Sequence, residues 1–377
     1  MSIALTDEYY MAKAIELAKK GWYSTQPNPR VGCILVRDDH IIAQGWHQYA
    51  GQGHAEVNAL AQLANNSNDI QGIAKGATAY VTLEPCSHFG KTPPCSEALI
   101  TAGVQRVVVA MADPNPLVAG RGLKHLEEQG IAVRCGVLEN ESRALNLGFI
   151  QRMLVQRPNI RCKMAMSLDG RTAMANGESQ WITGADARED VQRLRAESSA
   201  ILTGIGTVLV DNPAMNVRSQ NYDTMGRQPD RVVLDSHLQI ANGAKMFALS
   251  GNTIVLTHEQ TSQQEKITAL SNQGVVVDFL PLAGESLSLV ALMPWLAKQQ
   301  YNDVLLEAGA TLTGAMLQAG LVDELIIYMA PQLMGSDARG LFNLSGLESM
   351  QDNIHLSIED IRAVGKDYRI IAKPLAT

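Results

Sequence analysis

The sequence predicts an α/β protein of two domains, and three observations carry that reading. Strand-like and helix-like runs alternate along almost the whole chain, the pattern of helices packed on a mixed or parallel sheet. At 377 residues and 46% hydrophobic, the chain has core enough for two or more domains. Near its middle a basic, proline-containing stretch, 151–158, separates two such series, one over residues 1–150 and one over 158–377.

In the first series residues 7–20 suit a helix, with Asp7 as its N-cap and Gly21 just past its end. Strand-like runs follow at 32–36 and 40–45. A helix is expected over 54–64, with His54 and Glu56 in its first turn. Then come a strand at 77–83, a helix from Cys95 through Ala102, a strand at 106–111, a helix at 121–129 and a strand at 131–134. The second series has strands near 160–167, 199–203, 231–235, 253–257, 274–279, 303–307 and 324–330. Its helical patterns cover about 185–197, 287–299 and 311–319. The Gln/Asn/Asp-rich segment 219–230 reads as an exposed loop, and there is no internal repeat or low-complexity tract.

Composition excludes several classes. No run of eighteen apolar residues is present, so no membrane span is expected. The first residues lack a basic flank and an apolar signal core, so secretion is not expected. Five cysteines is an odd, low count that suits a reducing, cytoplasmic setting. Cys33, Cys135 and Cys162 read as buried apolar positions. The net charge is −7, and residues 1–150 hold 12 Lys and Arg against 14 Asp and Glu, so neither the chain nor its first half offers the basic patch a nucleic acid needs. A small, phosphorylated substrate fits this balance better.

The most informative segment runs from H-A-E at 54–56 to T-L-E-P-C-S-H-F-G-K-T-P-P-C at 82–95. His54, Cys86 and Cys95 supply three zinc ligands and leave a fourth position open, the arrangement of a catalytic site. Zinc lowers the pKa of bound water from about 15.7 towards roughly 7, and Glu56, two residues from the first ligand, is placed to shuttle protons rather than to bind metal. H-x-E followed by P-C and a later Cys is the signature of zinc-dependent nucleobase deaminases. Read singly, His54 is a core or surface histidine and each cysteine a small buried apolar residue; the joint pattern decides for the metal. One departure stands out: eight residues separate Cys86 from Cys95, where the common form has two. The longer loop contains His88 and Lys91, which face either substrate or solvent.

After residue 160 no metal-ligand cluster is visible. Small residues follow two strands instead, T-G-I-G-T at 203–207 and E-A-G-A-T at 307–311, where exposed amides at a helix start suit phosphate. Either segment is equally well a plain tight turn, and D-N-P at 211–213 is a turn signal. No dinucleotide-binding G-x-G-x-x-G precedes a helix here.

The chain resembles the RibD family of bifunctional riboflavin-biosynthesis proteins. The resemblance rests on N-P-R-V-G at 28–32, H-A-E at 54–56, T-L-E-P-C at 82–86 with T-P-P-C at 92–95, and D-P-N-P at 113–116. It continues through K-M-A-M-S-L-D-G-R at 163–171, G-E-S-Q-W-I-T at 177–183, T-V-L-V-D-N-P at 207–213, E-A-G-A-T at 307–311 and L-V-D-E-L at 321–325. It implies a cytidine-deaminase-like three-layer domain followed by a reductase domain similar to dihydrofolate reductase, with one zinc ion in the first and NADPH in the second. The implied reactions are hydrolytic deamination at C2 of 2,5-diamino-6-(5-phosphoribosylamino)pyrimidin-4-one, then reduction of the ribosyl group of the product to ribityl. A homo-oligomer, dimer or tetramer, is implied as well; the apolar helix 311–319 offers either a surface for it or core.

By matching motif, the resemblance places the cofactor against Ala165, Trp181, Thr207, Asp211 and the amides of Gly309, Ala310, Thr311, Leu312, Thr313, Gly314 and Ala315. It places the substrate of the second reaction against Ser179, Arg195, Met215, Arg218 and Glu307, and leaves Lys163 open between cofactor and substrate. Arg195 and Arg218 suit phosphate because guanidinium binds it through paired hydrogen bonds; without the family they read as a solvated helix face and a loop salt bridge. Ala165, Met215 and Trp181 read alone as core, and Ser179, Thr207, Asp211 and Glu307 as turn or capping residues. Asn28 and Asp113, in proline-flanked turns, are placed near the pyrimidine, against the plain alternative of turn chemistry. Two competing readings remain: a nucleoside, nucleotide or tRNA deaminase with an unrelated second domain, and a protein in which one half only binds ligand. NADPH consumption separates both from the bifunctional reading.

Overall fold

The computed structural model describes residues 6–64, 71–87, 93–116 and 118–375; His88 and Lys91 lie outside the described residues. The chain forms two compact units, Met1–Gln156 and Arg157–Thr377.

The first unit runs α1 (Asp7–Lys19), β1 (Gly32–Arg37), β2 (His40–Trp46), α2 (Ala55–Ala64), β3 (Thr78–Val81), α3 (Cys95–Thr101), β4 (Arg106–Val109), α4 (Arg121–Glu128), β5 (Ala132–Cys135), α5 (Glu139–Leu145) and α6 (Leu147–Val155). Its sheet has the order β2-β1-β3-β4-β5, antiparallel across β1 and parallel from β3 to β5. Side chains alternate across the strands, so the sheet buries two cores. Cys33, Leu35, Val81 and Val107 pack beneath α2, α3 and α4, whereas Ile34, Val36, Tyr80 and Val108 pack against α1 and Leu145 of α5. Helix, sheet, helix: this is the expected three-layer domain.

The second unit runs β6 (Asn159–Ser167), β7 (Arg171–Ala173), α7 (Ala185–Glu197), β8 (Ala200–Gly204), α8 (Ile205–Asp211), β9 (Asp230–Leu234), β10 (Thr253–His258), α9 (Gln264–Ser271), β11 (Val276–Leu280), β12 (Leu282–Ala283), β13 (Ser286–Leu287), α10 (Leu289–Lys298), β14 (Asp303–Leu306), α11 (Ala310–Gln318), β15 (Glu324–Ala330), β16 (Arg339–Gly340), β17 (Leu356–Val364) and β18 (Asp367–Pro374). Nine strands form one sheet, β11-β10-β9-β8-β14-β6-β15-β18-β17. It is parallel from β11 to β15, and a C-terminal antiparallel hairpin closes that edge. The central strands are apolar on both faces because α10 and α11 cover one face and α7 and α9 the other.

Two expectations are corrected, for Asp7 and Cys135, and two that the sequence left open are decided. Thr6, not Asp7, caps α1, its hydroxyl accepting from Tyr9 N at 3.4 Å; Asp7 instead holds Arg106 and Arg134 at 2.7 and 2.6 Å. The join between units is shorter than 151–158, because α6 runs through Val155 and buries Ile150. Cys135 is exposed, since it ends the edge strand β5. Helix α11 turns Thr313, Gly314, Met316 and Leu317 into the core, in line with the core reading of that face, and leaves Thr311, Gln318 and Ala319 exposed.

Candidate active sites

Three short connections bring the metal-ligating side chains together. His54 stands immediately before α2, Cys95 opens α3, and Cys86 lies five residues beyond β3. Gly45 on β2 sets the height of α2, because a Cβ there would lie 2.4 Å from Ala59 N and 2.5 Å from Ala55 O. Within the group, His54 Nδ1 is 3.2 Å from Cys95 Sγ and 3.6 Å from Cys86 Sγ, and all three ligand atoms lie within 4.8 Å of one another. Bonds of about 2.0 Å to nitrogen and 2.3 Å to sulfur on a tetrahedral zinc separate N from S by about 3.5 Å. The donor set and its spacing therefore fit zinc.

The surroundings favour ligation. The Cys86 thiol is held down at about 4 by hydrogen bonding with Cys95 and His54, and the amide of Cys95 donates to its sulfur at 3.2 Å. Ser96 N and Oγ both donate to Cys86 O, at 3.2 and 3.1 Å, which pins the loop to the start of α3. Glu56 is buried in the first turn of α2, and burial pushes its carboxyl up to about 7. Its contact with the Cys95 thiol places it beside the ligands without making it one of them.

Two residues that motif reading passed over support this group. Glu84 is buried and accepts three backbone N–H bonds, from Asp113 at 3.0 Å, Gly120 at 2.9 Å and Gly122 at 2.8 Å. It thereby ties the 113–122 segment to the Pro85–Cys86 turn. Gly122 has no room for a side chain, because a Cβ would lie 2.1 Å from Pro85 O. His47 is buried with its ring edge-on to His54 at 5.5 Å. Asn28 Nδ2 donates to its Nε2 at 3.1 Å, and its Nδ1–H donates to Gly53 O at 3.1 Å. Burial lowers its pKa, so the ring stays neutral. The sequence signal for Glu84 was its place in T-L-E-P-C; His47 had none beyond being a histidine. Asp113 Oδ1 accepts from Asn115 N at 2.8 Å.

In the second unit Lys163, Arg195, Arg218 and Glu307 lie within electrostatic reach of one another, with Glu307 just beyond the end of β14, the edge at which parallel sheets hold ligands. Glu307, just beyond β14, accepts two bonds from Arg195 of α7, at 2.6 and 2.9 Å. Arg195 also donates to Asn216 O at 3.1 Å. Lys163 of β6 faces the same pair; burial lowers its pKa while Glu307 opposes that shift. Arg218 is exposed, bound through its Nη1 to Asn216 Oδ1 at 3.3 Å. Gly204 and Leu312 bring the two small-residue segments side by side, a Cβ on Gly204 lying 3.4 Å from Leu312 Cδ2. Thr207 and Asp211 lie on α8, with Asp211 exposed. Ser179 and Trp181 lie on the segment before α7; Trp181 is 69% exposed, with Arg188 stacked 4.7 Å from its ring. Ala165 is half-buried on β6.

Three sets of predicted residues have partners within the fold. Arg195 gives Nε and Nη2 to Glu307 and so orients that carboxylate. Met215 is buried in the α7-side core. Thr313 N donates to Gly309 O at 3.2 Å, and Gly314 packs on the Asn343 backbone. The amides of Thr313, Gly314 and Ala315 thus lie inside α11, and those able to meet a cofactor narrow to Gly309, Ala310, Thr311 and Leu312.

Comparison with known proteins agrees with both halves. Residues 158–370 match the model of the RibD C-terminal domain, and residues 5–111 that of the cytidine and deoxycytidylate deaminase zinc-binding region. The riboflavin biosynthesis protein RibD of Escherichia coli (strain K12) is 50% identical over 374 residues, covering 96% of this chain and 98% of that protein. RibD of Haemophilus influenzae is 45% identical over 381 residues, covering 98% and 97%. Among solved structures, Acinetobacter baumannii RibD superposes with a TM-score of 0.89 at 47% identity, over 98% of this chain and 99% of that one. A deaminase/reductase from Thermotoga maritima gives 0.83 at 32% identity with the same coverage. The chain belongs to the RibD family: it is a bifunctional deaminase and reductase of riboflavin biosynthesis, zinc serving the first activity and NADPH the second.

Proposed function

We propose that the residues above divide the two reactions between a domain at 1–150 and a domain at 158–377, and that the substrates are those in the printed name of the Thermotoga maritima protein, a diaminohydroxyphosphoribosylaminopyrimidine and 5-amino-6-(5-phosphoribosylamino)uracil. The observation that carries the reading is the His54, Cys86 and Cys95 cluster with Glu56 buried against it.

In the first reaction His54, Cys86 and Cys95 would hold zinc, which would make a water ionisable towards about pH 7. Glu56 takes one proton of the attacking water and passes it to the ring nitrogen beside C2; it then takes the second from the hydroxyl added at C2 and gives it to the amino group, which leaves as ammonia while the C2 carbonyl forms. Its burial supports that role, because a carboxyl with raised pKa both accepts and returns a proton near neutrality. His47, held neutral by Asn28 and Gly53, fixes one wall beside His54.

In the second reaction bound NADPH would supply hydride for C1′ of the ribosyl group, opened to its imine, and the nitrogen would take a proton from solvent. Glu307, oriented by Arg195, and Lys163 face the sugar, while Arg218 and Ser179 receive the substrate. Ala165, Trp181, Thr207, Asp211 and the free amides of Gly309, Ala310, Thr311 and Leu312 line the cofactor side. The net charge of −7 and the exposed guanidinium of Arg218 suit a small phosphorylated pyrimidine rather than a nucleic acid. Five free cysteines support a reducing, cytoplasmic setting, and among the described residues no helix is long and apolar enough to cross a membrane. We also read the protein as a homo-oligomer, dimer or tetramer.

The test is mass spectrometry of the diaminopyrimidine phosphate incubated with zinc-loaded enzyme, with and without NADPH. Exchange of the amino group for oxygen adds about 1 Da, and reduction then adds about 2 Da only when NADPH is present. Absence of the second shift, with the first intact, overturns the bifunctional assignment.

A further inference from the structure

The cofactor residues named above fall in an order along the second unit's sheet. Ala165 lies on β6, Gly309 and Ala310 follow β14, and Thr207 follows β8, while the sheet runs β10-β9-β8-β14-β6 across these strands. A dinucleotide with its nicotinamide at β6 and its pyrophosphate between β14 and β8 therefore carries its adenosine on towards β9 and β10. The five strands are parallel, so their C-terminal ends form one edge, with Gly204 level with Leu234 and Leu234 with Leu256. At about 4.8 Å per strand, the end of β10 lies roughly 10 Å beyond that of β8.

NADPH differs from NADH by one phosphate, on the 2′ oxygen of that adenosine, and such a group is largely dianionic near neutrality. It needs hydrogen-bond donors, and the segments that follow these strands are poor in basic ones. Residues 205–211, 259–264 and 307–312 contain no Lys, Arg or His, and residues 235–244 contain one, His237. The other base at this edge is His258, the last residue of β10. Lys245 comes next in the chain, but its amide is fixed on Asn212, at the far end of α8.

The two histidines are paired, their rings edge to face with centroids 6.2 Å apart. His237 is exposed and His258 half-buried. The amide of Gln260 donates to His258 Nδ1 at 3.2 Å, so a neutral ring carries its hydrogen on Nε2, as a donor. Among the described residues no hydrogen bond engages His258 Nε2 or either ring nitrogen of His237. The backbone beneath them is held: Gln263 Nε2 donates to His237 O at 2.7 Å, and Thr257 Oγ1 to Ser236 O at 3.2 Å. Asp235, the acid beside them, is buried and accepts from Gln239 N and Ile240 N at 2.8 Å each, so its charge is already met.

We propose that His237 and His258 bind the 2′-phosphate of NADPH and make the reductase select NADPH over NADH. This rests on the placement of the cofactor at Ala165, Thr207 and Gly309, and extends it to two residues outside every motif above.

The test measures reductase turnover of the full chain on the uracil intermediate with NADPH and with NADH. Replacing both residues, His237→Ala with His258→Ala, removes hydrogen bonds to a charged group; it raises the KM for NADPH roughly tenfold or more and leaves that for NADH within about twofold. Inhibition by adenosine 2′,5′-bisphosphate weakens by the same factor, and inhibition by 5′-AMP does not change. In the His258→Ala background, His237→Arg restores the preference for NADPH, because guanidinium binds phosphate as well. An unchanged ratio of the two KM values overturns the proposal, and so does an equal rise in both, which a merely structural pair would give. Gly206→Asp tests the cofactor's placement separately. Gly206 has open space for a side chain, and a carboxylate there repels the pyrophosphate of both cofactors and raises both KM values. If Gly206→Asp changes neither, the placement itself falls; if it acts while the histidines do not, the assignment to His237 and His258 alone falls.

Discussion

Glu56→Gln removes one ionisable oxygen and leaves the shape of α2 and its three neighbouring ligands unchanged. If Glu56 carries the protons, deamination falls roughly 10²- to 10⁴-fold while zinc content by elemental analysis stays near one per chain. Turnover within a few-fold of wild type would remove the shuttle role. In the second unit the two arginines separate by what they touch. If Arg218 receives substrate, Arg218→Ala raises the reductase KM at least tenfold with little change in kcat; its side chain is exposed and donates to Asn216 Oδ1, while its backbone bond to Gln192 Oε1 survives the change. Arg195→Ala strips Glu307 of both its guanidinium bonds and leaves a buried carboxylate unpaired, a loss of about 3–5 kcal/mol. It lowers kcat and thermal stability together; a pure KM effect would contradict its positioning role. The metal group was legible in the sequence because H-x-E and P-C report two whole ligand turns at fixed spacing. The Arg195–Glu307 pair was not, because its members lie 112 residues apart and the motif that names each says nothing of the other.

Helix α4 shows how an element far from the motif holds the motif in place. Its first turn lies against Pro85 at Gly122, and Glu84 binds the amides on either side of that contact. Gly122→Ala must push the helix off the turn that presents Cys86. Overpacking of this kind costs about 1–3 kcal/mol, and the displacement shows as weaker zinc retention against a chelator, with reductase activity intact. Zinc retention equal to wild type would mean that the turn is fixed without α4. Most elements were readable from alternation and length, and those that escaped share a physical reason. Helix α8 is seven residues long and α9 eight, too short to show a periodic stripe. The hairpin of β17 and β18 is exposed on both faces over much of its length, and a bulge at Glu359 breaks the period of two that would have marked β17 as a strand.

The two chemistries rest on different kinds of support, and removing the metal should tell them apart. The first unit's site is held by three side chains at the starts of two helices and one turn, so a bound ion would add a further tie between α2, α3 and the Pro85–Cys86 turn. The second unit contains no cluster of three or more metal-ligating side chains among the described residues; its site is built by strand ends and by the buried Arg195–Glu307 pair, which owe nothing to metal. Chelation of zinc should therefore abolish deamination and lower the midpoint of the transition belonging to the first unit. The stabilisation lost is RT ln(1 + [Zn]/Kd), about 4 kcal/mol when zinc stands at a thousand times its dissociation constant. Reduction of the already deaminated substrate by NADPH should continue at its former rate. Calorimetry with and without chelator, paired with NADPH consumption on the uracil intermediate, measures both. Loss of reduction along with the metal would mean that the second site depends on the first, and the division of labour between the units would have to be redrawn.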